Sequence, residues 1–176
     1  MDNIFTYFIE SPEKEFYIRE LARKTKKSPT TISKYLRQLK RGNLVKSEKK
    51  FNHILYKSNQ ENPLYRQKKI FYNIEKLQKS GLIEYLQEQL NFPEAVILYG
   101  SFAKGENIKK SDIDILAVSI LKKEVNLERF EKILSHKIHL FIHSKNEIEK
   151  MKEKNKELLN SFINGTILYG YWELFR

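Results

Sequence analysis

Five apolar residues in a row, Ala95-Val96-Ile97-Leu98-Tyr99, stop at a Gly100-Ser101 pair. Ten residues later a second apolar stretch begins as Asp112-Ile113-Asp114 and continues through Val118. A run of that length with no polar alternation reads as a strand covered on both faces. Two such strands need layers of helix around them, so this part of the chain is confined to a small sheet packed by helices. The aspartates are conspicuous because the chain uses so few. Of its 22 acidic residues, only Asp2, Asp112 and Asp114 are Asp. Positions 112 and 114, two apart on a strand, put both carboxylates on one face. Like charges that close repel, and burying them unpaired is costly. A divalent cation removes the conflict, and Mg²⁺ favours a small number of carboxylates completed by water and phosphate oxygens. Glycine permits close backbone approach, while a Ser hydroxyl and the N–H groups of a helix start can hold a phosphate. The whole stretch therefore predicts a site for Mg²⁺ and a nucleotide, where transfer proceeds by positioning and charge neutralisation.

The first third of the chain has a different character. Residues 1–60 carry 14 Lys and Arg against 6 acids, whereas residues 61–176 carry 19 against 16. A Lys-rich solvated surface would give such an excess, and so would a surface that meets a polyanion. The pattern of the segment bears on the choice. Ile4, Phe5, Phe8 and Ile9 mark one face of a helix over 2–9, ended by Ser11-Pro12. Leu21 and Ala22 give a short second helix its inner face. Ser28 suits an N-cap and Pro29 a first helical position. Ile32, Tyr35, Leu36 and Leu39 then repeat as an inward stripe, and Gly42 follows the basic last turn as a stop. After Gly42 the period falls to two. LVKSEKK, a turn around 50–52 and HILYKSN predict a hairpin. Two helices joined by a tight polar turn and followed by a hairpin predict a winged helix-turn-helix, 1–60, for double-stranded DNA. The outward residues of its second helix are Thr30, Thr31, Ser33, Lys34 and Arg37. Lys46, Lys49 and Lys50 would lie along the backbone or minor groove.

Glu61-Asn62-Pro63 breaks that pattern near residue 60. Two helices interrupted at Ser80-Gly81 make a connector over 61–92. A second domain, 93–176, holds three strands, the third over 138–142, a helix over 127–134 and a long charged helix over 146–162. Its aromatic tail, ILYGYWELF, is expected to dock on a core. The fold class is thus a two-domain α+β or α/β chain. Absence of cysteine excludes disulfides and thiolate metal sites. No apolar stretch approaches the ~18 residues of a membrane span. The acid at position 2 and the lack of a small-residue cleavage site speak against a signal peptide, so the expected location is cytoplasmic.

Two stretches resemble known families. Phe16 to Asn59 is similar to the winged helix-turn-helix domains of archaeal and bacterial regulators, which implies DNA binding and, as such domains often dimerise, a homodimer. LYGSFAKGENIKKSDIDILAVS resembles the signature of the polymerase-beta-like minimal nucleotidyltransferase family: Gly-Ser, ten residues, Asp-x-Asp. The likeness implies transfer of a nucleoside monophosphate from ATP or another NTP to a protein, a small molecule or an RNA end. It puts Gly100 and Ser101 on the triphosphate and Asp112 and Asp114 on catalytic Mg²⁺. Lys104 stands where many members have Arg. Minimal members often act as antitoxins, which implies a HEPN-type toxin as partner. Active members carry a third carboxylate on a later strand, whereas KIHLFIHS here holds none. His139 or His143 could serve as the base in its place, with His139 the catalytic candidate. Glu124, Glu128 and Glu131 precede that strand and would have to swing in. Without the third acid, the chain also reads as a regulator that senses a nucleotide without turnover.

Overall fold

A computed structural model describes residues 3–50 and 52–173. Asp2, at the start of the predicted first helix, Phe51, in the predicted wing turn, and Leu174 and Phe175, in the predicted docking tail, lie outside the described residues. The chain divides into two compact units, Met1–Lys69 and Ile70–Arg176.

The first unit contains helices α1 (Asn3–Glu10), α2 (Ile18–Thr25) and α3 (Pro29–Arg41), and strands β1 (Phe16–Tyr17), β2 (Val45–Lys50) and β3 (His53–Ser58). Its core is built by the predicted stripes: Ile4, Phe5, Phe8, Ile9, Leu21, Ile32 and Leu36 are buried. Phe16 meets Phe8 edge-on with ring centres 5.1 Å apart. At the start of α3 the Ser28 hydroxyl accepts from the Thr31 N–H at 3.1 Å, and Pro29 takes the first helical position. Its far end differs from expectation. Gly42 keeps φ −76°, and the left-handed turn falls on Asn43, φ 54°. Asn can hold that conformation, and here the Asn43 carbonyl accepts from the side-chain amides of Asn59 and Asn62, both at 2.9 Å. The hairpin is present, and a third strand joins it: β1 pairs antiparallel with β3, giving the order β1-β3-β2. Two residues are too few to show a period, which is why the sequence does not disclose β1.

Helix α4 (Pro63–Lys79) contains the division between units. Tyr65 on its first turn is fully buried and donates to the Phe8 carbonyl at 2.9 Å. Burial pushes its hydroxyl up to about 12.

The second unit continues with α5 (Leu82–Gln89), β4 (Ala95–Tyr99), α6 (Gly100–Lys104), β5 (Ile113–Val118), α7 (Glu128–Leu134), β6 (Ile138–His143), α8 (Lys145–Lys154), α9 (Lys156–Ile163) and β7 (Thr166–Gly170). The sheet order is β6-β5-β4-β7, with β5 and β6 parallel and the other pairs antiparallel. Every residue of β4 is buried. Val96, Leu98, Ile113 and Ile115 face a cluster with Leu77, Leu82, Leu86 and Phe130, while Ile97, Tyr99 and Leu116 face Ile148, Leu159 and Phe162. That is the two-sided cover that the unbroken apolar run requires.

Two expectations change. The charged helix predicted over 146–162 is two helices. Asn155 leaves helical geometry at φ −149°, ψ 68°, and its side chain accepts from the Leu158 N–H to start α9. Asn competes well for backbone donors at such positions. The aromatic tail does more than dock: Thr166–Gly170 forms β7 along β4, with a register shift opposite Val96 and Ile97. Trp172 packs against the Ile97 side of the sheet. The strand ends on Gly170, φ +74°, where an added Cβ would lie 2.0 Å from the Glu94 carbonyl oxygen. Gly170→Ala should therefore cost the second unit about 2 kcal/mol or more. Urea unfolding followed by Trp172, the sole tryptophan, would report it as a lowered midpoint.

Candidate active site

Antiparallel pairing sets Tyr99 opposite Asp114, and parallel pairing sets Asp114 opposite His139. Directly paired residues share a face of the sheet. Tyr99, Asp114 and His139 thus form a row across three strands, where β4 ends and β5 and β6 begin. Asp112 sits just before β5. The Nδ1 of His139 is 3.5 Å from Asp114 Oδ1, and its Nε2 is 3.9 Å from Asp112 Oδ2.

Gly100 closes the site from the side of β4. Its φ is +69°, and an added Cβ would lie 2.4 Å from Asp114 Oδ2. The glycine of the Gly-Ser pair is required by a carboxylate on the neighbouring strand. Ser101, half-buried, and Lys104, exposed, follow on α6. The ten residues between Ser101 and Asp112 are pinned rather than loose. The Glu106 N–H donates to the Ser101 carbonyl at 2.9 Å. The Asn73 amide donates to the Phe102 carbonyl and to Asn107 Oδ1, both at 2.9 Å, and both Asn side chains are buried. The Ser111 hydroxyl accepts from the Ile108 N–H at 2.9 Å. His136 Nδ1 lies 2.7 Å from the Ser111 carbonyl, which can only accept, so Nδ1 carries the proton. The His136 ring stands edge-on to Phe102, 5.0 Å between centres. Sequence reasoning misses Asn73, Asn107 and His136. Each acts through a partner more than twenty positions away in sequence, and no local pattern records such a bond.

Charge at the site is strained. Burial raises the Asp114 carboxyl above the usual aspartate range, His139 opposes that rise, and Asp112 adds to it. Tyr99, only 6% exposed, has its hydroxyl pushed up to about 12 by burial and by the Asp114 charge. The acids ahead of β6 do not reach the pair. Glu131 is held by Lys137 at 2.9 Å and by the Ile138 N–H at 3.0 Å, so it anchors the start of β6. Glu128 begins α7, where its N–H donates to Asn126 Oδ1, and Glu124 is exposed. His143 lies four residues further along β6, about 13 Å away along the strand; it approaches Glu147 at 4.0 Å instead. Of the two histidines, His139 alone is beside the carboxylates. Among the described residues there is no group of three or more His, Cys, Asp or Glu arranged to hold a metal. The two carboxylates nonetheless fit Mg²⁺, which takes few protein ligands and fills its shell with water and phosphate. Desolvation and mutual repulsion are the penalties such a cation would relieve.

The predicted DNA-reading residues occupy α3 and the wing. Thr30, Lys34 and Arg37 are exposed, while Thr31 and Ser33 are half-buried. Thr31 Oγ1 is 2.8 Å from Ser28 Oγ, so this hydroxyl belongs to the helix cap. Lys49 is exposed. Lys46 lies 2.6 Å from Glu61, and Lys50 lies 2.8 Å from Glu15 and 3.2 Å from Glu48.

Fold and site together define a winged helix-turn-helix DNA-binding domain joined to a nucleotidyltransferase-like sheet. A family model described as polymerase beta, nucleotidyltransferase matches residues 80–173, over half of the chain. The chain belongs to that family. A second model, the arsR family of bacterial regulatory proteins, matches residues 9–47. The search of curated proteins finds no match. Among the described residues no helix is long and apolar enough to cross a membrane.

Because the Asp114 carboxyl is raised on folding, its ionisation opposes the fold. The opposition is absent below the ordinary aspartate range and complete above the raised value, so stability falls as pH climbs between the two. Asp114→Asn should accordingly be more stable than wild type at neutral pH. The difference should vanish below about pH 4, the ordinary aspartate value. Urea unfolding at both pH values checks this.

Proposed function

We propose that the second unit transfers a nucleoside monophosphate from ATP or another NTP to an acceptor hydroxyl on a protein, a small molecule or an RNA end. The first unit carries this activity to double-stranded DNA. The observation that carries the reading is the contact between Gly100 and the Asp114 carboxylate, which brings the Gly-Ser turn directly against one acid of the pair. Gly100 and Ser101 would bind the triphosphate, and Lys104, one turn on, would answer part of its charge. With its Nδ1 proton turned to Asp114, His139 keeps the Nε2 lone pair for the acceptor hydroxyl. The acceptor oxygen attacks the α-phosphorus, the bond to the β-phosphate oxygen breaks, and pyrophosphate leaves. Tyr99, packed against Phe162 at 4.9 Å, keeps the wall behind Asp114 fixed. Mg²⁺ held by Asp112 and Asp114 would neutralise phosphate charge as the bonds exchange. A second reading has one observation in its favour. On the strand beside the acid pair His139 stands opposite Asp114 and no carboxylate does, which suits a regulator that binds a nucleotide without turning it over.

Labelled ATP, Mg²⁺ and cell extract separate the two. Transfer by wild type, lost in Asp112→Ala and Asp114→Ala and lowered about a hundredfold or more in His139→Ala, supports the enzyme. Saturable Mg²⁺-nucleotide binding with no label above the double-alanine control supports the sensor instead. For the first unit, Lys34→Ala and Arg37→Ala should each weaken duplex binding and reduce the slope of log affinity against log salt by about 0.9. An unchanged slope in both would remove α3 as the reading helix.

A further inference from the structure

A groove of about 1400 Å³ lies within the first unit, between α2 and the start of β3. None of its described lining residues is acidic. Arg19, Arg23 and Lys26 are exposed along it, and Lys27 is half-buried, 5.0 Å over the Tyr35 ring. Lys50 also reaches it, with its charge already answered by Glu15 and Glu48. Ala22 and Leu55 give the groove an apolar floor.

Two rings stand in this cationic setting. Tyr17 pairs with Leu55, and His53 is two residues before Leu55 on the same strand, so both rings rise from one face of the sheet. Their centres are 6.3 Å apart and their planes differ by 35°. The Tyr17 hydroxyl accepts from Arg23 at 3.1 Å, which fixes the ring and holds a guanidinium beside it. Both residues are exposed. A duplex presents phosphates to such a surface and keeps its base faces stacked inside. Ring faces beside cations are useful only for bases already out of a stack. We propose that this groove binds a single-stranded nucleic-acid segment. One base lies on the Tyr17–His53 pair, and the flanking phosphates meet Arg19, Lys26 and Lys27. The surface is distinct from the outward residues of α3, and it does not depend on the transfer reaction.

The test measures the affinity of the full chain, by fluorescence anisotropy, for labelled oligo-dT, oligo-rU and a duplex of about 15 nucleotides. Tyr17→Ala and His53→Ala should each weaken binding to single strands about tenfold while leaving duplex affinity within about twofold. Tyr17→Phe keeps the ring and should retain single-strand binding, which guards against an alanine variant that merely folds badly. Lys34→Ala should show the opposite selectivity, losing duplex and keeping single strands. Binding of dT and rU alike marks a site for either sugar, and a preference for one identifies the source. Failure of wild type to bind either strand, unchanged binding in both alanine variants, or an equal loss of duplex would overturn the proposal.

Discussion

The second unit is organised by the crowding of a backbone against a carboxylate. Gly100 and Asp114 Oδ2 occupy a space that a methyl group would not share. To bring them together, β4 must end where β5 begins, and the linking residues must return without slack. The buried Asn73–Asn107 bond and the His136 bond to Ser111 perform that return. The cost is local: a glycine in left-handed geometry and a desolvated acid next to another acid. The two apolar layers on either side of the sheet hold it in place. Strain kept at one end of a well-packed sheet is the arrangement expected of a functional site.

Much of this was legible beforehand, for reasons that differ by residue. Strand β4 could be read because burial on both faces leaves no polar position in it. The start of α3 could be read because Ser28 and Pro29 act within four residues of where they stand. The acid pair could be read because aspartate is scarce in this chain and the spacing of two fixes a shared face. What escaped was either too short or too distant. Strand β1 has two residues. Strand β7 lies at the edge of its sheet with Ile167 45% exposed and a register shift along its partner, so its alternation is broken. The break at Asn155 depends on one side chain choosing a backbone donor over solvent. The bond from His136 to Ser111 joins the approaches to two strands that only the fold makes neighbours.

The wing illustrates a limit of charge counting. Its lysines were read together as a cationic edge, yet Lys46 and Lys50 spend their charge on Glu61, Glu15 and Glu48. Pairs of that exposure are worth little to stability. They still lower the field that an approaching phosphate would feel, because each cation must first release its carboxylate. Paired cations therefore count for less towards a polyanion than their number in the sequence suggests. Among the predicted cations of this unit, Lys34, Arg37, Lys46 and Lys49 are exposed, and of these Lys46 is held by Glu61.

The histidine opposite Asp114 is where the transfer and sensor readings diverge physically. With a neutral imidazole there, the acid pair presents two negative charges, enough to balance one divalent cation. A third carboxylate would add both a ligand and a charge, and with them the means to hold a second cation near the attacking oxygen. The proposed site must therefore prepare its nucleophile by proton transfer to His139 rather than by a further cation on the acceptor. Proton transfer of that kind depends on the imidazole keeping one lone pair clear, which the Asp114 contact favours by drawing the proton to Nδ1. Nε2 lies 3.9 Å from Asp112, so the other tautomer, with Nε2–H turned to Asp112, would leave the lone pair on Nδ1 against Asp114 and offer the acceptor no base. The position of one proton on one ring thus separates the transfer reading from the sensing reading.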